Sequence, residues 1–153
     1  MDIKFIDPIR EATINVLSTM AMVNAIAGKP TVKQGGNPLG DVTSIIDLSG
    51  KDIQGSLAIS FSKVAIFDIT EKILGECVDN FNDTVIDIVG ELTNIITGNA
   101  KRLYAEQGMD FDLTRPTMMI GNDTPLTHSV EGKATVLPFN TDAGVFYLEL
   151  CFI

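Results

Sequence analysis

Asp87, Glu91 and Asn94, with Gly98 one turn further on, are the residues of this chain whose types and spacing could do chemistry. They lie in or just after Asp87-Ile-Val-Gly-Glu91-Leu-Thr-Asn94, inside an amphipathic segment that the apolar periodicity places at about residues 80–107. With Asp87 as origin and about 100° per residue, Glu91 falls at about 40°, Asn94 at about −20° and Gly98 at about 20°. One helix face therefore carries two carboxylates, an amide and a position with no side chain to block approach. Val85, Leu92, Ile96 and Leu103 fall at about 140–180°, flanked by Val89 and Ile95, so the opposite side belongs in a core. A solvated helix face is the ordinary reading of such a stripe. Two details count against it. Asn is a mediocre helix former, and Gly98 costs about 1 kcal/mol relative to Ala inside a helix. Polar groups on a rigid helix beside a small-residue gap suit something that docks closely. An Asn amide is no base near neutral pH, but its oxygen and NH₂ can orient water.

The pattern Asp87-x-x-x-Glu91-x-x-Asn94, followed after residues 95–115 by Pro116, resembles the signature of the CheC/CheX/FliY family of chemotaxis phosphatases. The run from Gly90 to Gly98 and the segment Thr114-Arg115-Pro116-Thr117 are similar to that family at the expected separation. The resemblance extends over nearly the whole chain and is closest to the single-domain CheX branch. It implies a phosphatase of two-component signalling, a hydrolase that removes phosphate from the aspartate of a CheY-like response regulator. In that reading Asn94 orients the attacking water and Glu91 grips a lysine of the regulator. Gly98 leaves room for the partner. Asp87 contacts the partner's rim or bonds locally, and Pro116 contacts the partner or only restricts its loop. The phosphatase then needs no cofactor of its own, because the phosphorylated regulator supplies Mg²⁺. CheX-type relatives also imply a homodimer. The alternative is a non-catalytic response-regulator-binding module of a chemotaxis or flagellar-switch complex. The intact Glu91 and Asn94 favour catalysis, since a pure binding surface does not require an amide there.

The 153 residues suffice for one domain, 1–153, with a real core. The chain is 45% hydrophobic with mean hydropathy +0.24, yet no apolar run approaches the ~18 residues of a membrane span. Met1-Asp-Ile-Lys-Phe opens without the basic start and apolar run of a secretory signal, so a cytoplasmic protein is expected. Twenty acidic against 11 basic residues give a net charge of −9. That disfavours nucleic acid and anionic membrane, and suits a partner with a locally basic surface. Cys77 and Cys151 make neither a disulfide framework nor a four-ligand metal site, and are expected to be reduced and mostly buried. His128, the only histidine, has no Ser, Cys or metal-like partner at local spacing and reads as a loop or surface residue. No Gly-x-Ser-x-Gly, His-Glu-x-x-His or dinucleotide-binding fingerprint occurs.

The elements that must position the stripe are legible in outline. Asp7 and Pro8 predict a helix start, Ile9, Ala12, Val16, Met20 and Val23 its apolar stripe, and Gly28 with Pro30 its stop. Asp7-x-x-x-Glu11-x-x-x-Asn15 echoes the motif, but the last spacing of four rotates Asn15 by about 100° from where Asn94 sits in its own motif. That offset favours a single site. Residues 31–40 are rich in breakers and read as a short strand at most, then a loop. Residues 42–48 and 53–61 predict two strands joined by a turn at 49–52, the second with one buried face and one partly covered or wet. Ser62 caps a helix to Leu74, with Phe61 and Ile66 as a hydrophobic staple and Gly75 as its stop. Gly108 closes the motif helix, and Asn99, at about 120°, is expected to hydrogen-bond internally. Strands are expected at 117–120, 133–139 and 145–152, with a hairpin loop at 140–144 and Pro116 tolerated just before the first of them. Both faces of 145–152 are mostly hydrophobic, so helices of the same chain or a second subunit should cover them. The fold class is α+β: helices on a largely antiparallel sheet, with one long central motif helix.

Overall fold

The computed structural model describes all residues, 1–153. In chain order the elements are α1 (Ile3–Ala21), β1 (Ile26–Ala27), β2 (Thr31–Val32), β3 (Val42–Ser49), β4 (Gln54–Phe61), α2 (Lys63–Leu74), α3 (Asp83–Glu106), β5 (Asp112–Leu113), β6 (Thr117–Ile120), β7 (Thr135–Asn140) and β8 (Val145–Phe152). The strands make one sheet in the order β1-β7-β8-β4-β3-β5, with β2 also on β7 and β6 also on β3. Every pairing is antiparallel. Each edge of the sheet is thus shared by two short strands.

Register decides which side chains meet across this sheet. Ile46, Leu57 and Leu150 form one row; Ile59, Leu148 and Leu137 a second; Val42, Phe61, Phe146 and Phe139 a third. These rows face α1, α2 and α3 and merge with them into one apolar core. Asp47, Ser56 and Cys151, then Ile45, Ala58, Glu149 and Val136, then Thr43, Ser60, Tyr147 and Pro138, line the other face. For β4 this is the face expected to be partly covered or wet, and it is covered: Thr43, Ser56, Ala58, Ser60 and Glu149 are fully buried. The irregular segments 33–41 and 121–134 close over it. Gly40 N–H donates to Ser60 Oγ (2.8 Å), and Leu126 N–H donates to the Gly36 carbonyl (2.7 Å). Segments without periodicity give no sign in sequence that they form a layer.

Two boundaries of α1 differ from expectation. Asp2, not Asp7, is the N-cap, its Oδ1 accepting from Lys4 N–H (3.1 Å), and Pro8 lies inside the helix. Packing overrides the Pro signal: Ile6 is buried, Phe5 stacks on Phe152 at 4.6 Å, and the Phe5 carbonyl accepts from Tyr104. The helix stops at Ala21, because Met22 turns left-handed (φ 54°) and Val23 N–H caps the Leu17 carbonyl (3.1 Å). Gly28 instead serves the sheet. Its N–H donates to the Pro138 carbonyl (2.7 Å), and a Cβ there would lie 2.9 Å from the Pro138 ring.

The other elements follow the sequence closely. Ser62 Oγ accepts from Ala65 N–H (3.3 Å) and Gly75 ends α2 with φ 74°. Two-residue strands β1 and β5 were not foreseen. Phe146, Leu148 and Leu150 lie in the core while Glu149 and Cys151 lie under the covering segments, so one chain covers both faces of β8. Both cysteines are free, but Cys77 is exposed, against expectation. Cys151 is buried, and burial pushes its thiol pKa up. No helix is long and apolar enough to cross a membrane.

Tyr104 ties α3 to α1 through its hydroxyl, which donates to the Phe5 carbonyl (2.5 Å), while Phe111 meets the ring edge-on at 5.2 Å. Tyr104→Phe should lower the unfolding free energy by about 1 kcal/mol in urea titrations, because it removes a part-buried hydrogen bond between α3 and α1. Burial also holds the phenol well above its ordinary pKa. Its contribution is therefore whole below about pH 10 and is lost as the pH rises above that value. The Phe variant should show less of this alkaline loss than wild type.

Candidate functional site

Asn82 begins the motif helix, its Oδ1 accepting from Val85 N–H (3.0 Å), with Asp83 in the first turn where the helix dipole favours a carboxylate. Gly108 (φ 81°) follows its end. The start lies later than residue 80, so α3 spans 24 residues, about 36 Å. Val85, Val89, Leu92, Ile96, Ala100 and Tyr104 are buried, and so are Thr93 and Thr97. Ile95, expected beside the core, packs against it half-buried, and Leu103, expected within it, does the same. The buried arc is turned toward the threonines because each satisfies its hydroxyl on its own helix. Thr93 Oγ1 donates to the Val89 carbonyl and Thr97 Oγ1 to the Thr93 carbonyl, both at 2.7 Å. Counting Thr as polar hid this. Asn99 Nδ2 donates to the Ile95 carbonyl (2.9 Å), the internal bond expected of it.

Asp87, Glu91, Asn94 and Gly98 are all exposed on one face, as their spacing predicts. None of the ion pairs in the chain uses Asp87 or Glu91. Asn94 engages only its backbone carbonyl, which Thr97 Oγ1 approaches at 3.4 Å, and its side-chain amide is free. A Cβ added at Gly98 would meet nothing within 4 Å, so packing inside the chain does not demand glycine there. The gap opens outward.

The stripe has two flanks. A Cβ at Gly90 would lie 2.8 Å from Met118 Cε, so β6 packs against α3 in the turn before Glu91. Half-buried Pro116 immediately precedes β6. The loop leading to it is held by Asp47: Thr114 N–H donates to the Asp47 carbonyl (3.1 Å), and Asp47 N–H donates to Thr114 Oγ1 (2.9 Å). Folding thus carries Met118, two residues beyond Pro116, against the motif helix. On the other flank α1 and α3 leave a groove of about 210 Å³ that includes Asn15, Asn99 and Arg102. In the echo of the motif on α1, Asp7 pairs with Arg10 while Glu11 and Asn15 are exposed.

His128 lies in a loop, one of the two places expected for it, but its ring is largely buried and not at the surface. Its Nδ1 lies 2.7 Å from Ser56 Oγ and its Nε2 3.2 Å from Glu149 Oε1, partners 72 and 21 residues away that local spacing could not reveal. No three His, Cys, Asp or Glu side chains converge as a metal-ligand set. Two clefts of about 620 and 600 Å³, one between the Gly50–Asp52 turn and the Gly108–Asp112 segment and one between residues 32–35 and 126–134, contain no motif residue. The motif stands instead on a convex helix. A convex stripe cannot enclose a small substrate, so the surface it suits is a macromolecule that brings a cleft of its own.

The family described as "Chemotaxis phosphatase CheX" matches residues 42–140, close to two-thirds of the chain, with Asp87, Glu91, Asn94, Gly98 and Pro116 all inside. The chain belongs to the CheX family. Its fold is similar to the chemotaxis protein CheX of Vibrio vulnificus, with a TM-score of 0.90 and 36% identity over 97% of this chain and 99% of that one. It is also similar to CheX of Borrelia burgdorferi, solved as a CheX-CheY-BeF₃-Mg²⁺ complex, with a TM-score of 0.80 and 28% identity over 99% of both chains. The CheY-P phosphatase CheX of Thermotoga maritima is 23% identical over 124 residues, 80% of this chain and 79% of that protein. The CheX-like α+β fold and the family resemblance read from the motif are both borne out.

Exposed side chains without partners can be removed cheaply. Asn94→Ala and Glu91→Ala should each change the unfolding free energy by less than about 0.5 kcal/mol in denaturant titrations.

Proposed function

We propose that this CheX-family chain binds a phosphorylated CheY-like response regulator and hydrolyses its aspartyl phosphate. The observation that carries this reading is the pair Glu91 and Asn94, exposed and free of partners on a convex helix beside the open gap at Gly98. The complex of the similar Borrelia burgdorferi protein with CheY and the phosphatase named for Thermotoga maritima support the choice of partner and reaction.

An acyl phosphate is already activated, and the charge on the transferring group is spread by the regulator's own Mg²⁺. The task left to this chain is to hold a water in line with phosphorus. Asn94 does so through its amide while Glu91 grips a cationic side chain of the regulator and fixes the register of the helix. The water oxygen bonds to phosphorus, the phosphorus–carboxylate bond breaks, and inorganic phosphate leaves with the regulator's aspartate restored. Gly98 admits the partner's backbone, and Asp87 and Pro116 touch its rim. The catalytic groups need neither a nucleophile nor a cofactor from this chain, and the reaction belongs in the cytoplasm, where response regulators work. The net charge of −9 favours a regulator with a basic rim.

Phosphate release from purified phosphorylated regulators, compared with spontaneous decay, tests this. Asn94→Ala should abolish the acceleration while retaining binding; Glu91→Lys should weaken binding at least tenfold, about 1.4 kcal/mol or more. Glu11→Ala and Asn15→Ala should leave turnover near wild type, since the offset echo on α1 does not present an amide as Asn94 does. Wild-type turnover in the Asn94 variant would end the water-orienting reading.

We also infer a homodimer, supported by the short, incompletely paired strands at both sheet edges and by exposed Ile26, Val32 and Ile120 upon them. Light scattering at micromolar concentration should give twice the chain mass of 16.5 kDa. A clean monomer mass refutes it.

A further inference from the structure

Behind the sheet lies a buried polar cluster for which the dephosphorylation reading has no use. Glu149 on β8 is fully buried, and its Oε1 meets Lys33 Nζ at 2.8 Å and His128 Nε2 at 3.2 Å. Ser56 Oγ lies 2.7 Å from His128 Nδ1. With a neutral ring, one assignment satisfies every donor: the Ser56 hydroxyl donates to Nδ1, and Nε2–H donates to the carboxylate. A buried ion pair of this kind adds little net stability, because desolvating both charges offsets their attraction. What it supplies is position. Lys33 and His128 come from the two irregular segments that cover this face, and segment 121–134 has a single buried side chain, Leu126.

The cluster connects to the motif helix. Next to His128, Ser129 Oγ donates to Asp47 Oδ1 (2.6 Å), and Asp47 is the register partner of Ser56. The backbone of Asp47 grips Thr114 from both sides, at 3.1 and 2.9 Å. Two residues beyond Thr114 is Pro116, and then comes β6, whose Met118 lies against Gly90. β6 has only four residues and pairs with β3 alone. An edge strand this short is the kind of element that opens locally unless something else holds it.

We propose that Glu149, His128 and Ser129 are positioning residues, a brace behind the sheet that holds the Pro116 edge at the distance from the motif helix that docking requires. This rests on the reading of Glu91 and Asn94 given above, but its first test does not. Amide hydrogen exchange on the isolated protein should show Thr114 and Gly121, whose N–H groups donate to the Asp47 and Asp41 carbonyls, exchanging about tenfold faster in Ser129→Ala and in Glu149→Gln. Amides of β4 and β8 should keep wild-type rates, and Ser129→Thr, which retains the hydroxyl, should restore protection. Ser129→Ala removes only one exposed hydroxyl, so it reports even where the Glu149 variant folds poorly. Unchanged exchange at Thr114 overturns the brace. Uniform acceleration that includes β4 and β8 in Ser129→Ala overturns it too, as a general loss of stability. The second arm uses a phosphorylated regulator that the wild-type protein dephosphorylates. There Ser129→Ala should raise KM about tenfold with kcat within about twofold of wild type, and an unchanged KM overturns the link to docking. A wild-type protein inactive on every regulator refutes the phosphatase reading and leaves the exchange result standing.

Discussion

Val85, Val89, Leu92, Ile96, Ala100 and Tyr104 commit one side of a 24-residue helix to the core, and the rest of the molecule is arranged around that commitment. Burying a large apolar side chain is worth about 1.5–3 kcal/mol, so the buried side outweighs the ~1 kcal/mol cost of each glycine in the helix. α3 can therefore carry Gly90 and Gly98 at positions chosen for approach instead of helix propensity. Gly90 lets Met118 come close from β6, and Gly98 leaves its surroundings open. With the buried side committed to the core, Asp87, Glu91 and Asn94 must point outward.

The two faces of the sheet are held by different physics. Toward the helices, rows such as Val42, Phe61, Phe146 and Phe139 pack by area, a force without direction. On the other side Ser56, Ser60, Thr43 and Glu149 are buried without a helix above them, and they bind their cover through directed bonds. Thr43 Oγ1 and Ser60 Oγ lie 2.8 Å apart, and Ser60 also accepts from the Gly40 backbone. Directed bonds fix distances more tightly than area does. A face built this way suits the control of where a short edge strand sits.

The residues proposed for catalysis are weakly constrained by the rest of the chain. Glu91 and Asn94 are exposed side chains held only by the helix beneath them. Their geometry comes from the rigidity of α3, so they can meet a partner without first breaking bonds of their own.

The sequence by itself determined what depends on neighbours along the chain. The period of α3 placed Asp87, Glu91, Asn94 and Gly98 on one face, Ser62 and Gly75 bounded α2, and strict alternation in residues 53–61 named the core face of β4. Its motif also sufficed to place the chain in the CheX family. Only the tertiary structure decided what depends on contact between distant segments. Met118 of β6, two residues beyond Pro116, came against Gly90 of α3, and α1 began at Ile3 because Phe5 and Ile6 found partners in β8 and α3. His128, which has no partner at local spacing, met Ser56 and Glu149 only when loop 121–134 folded over the sheet. Helical and strand periods are set by backbone geometry within a few residues, so sequence displays them. Hydrogen bonds between residues 72 or 82 positions apart, such as Ser56 with His128 and Asp47 with Ser129, leave no periodic trace.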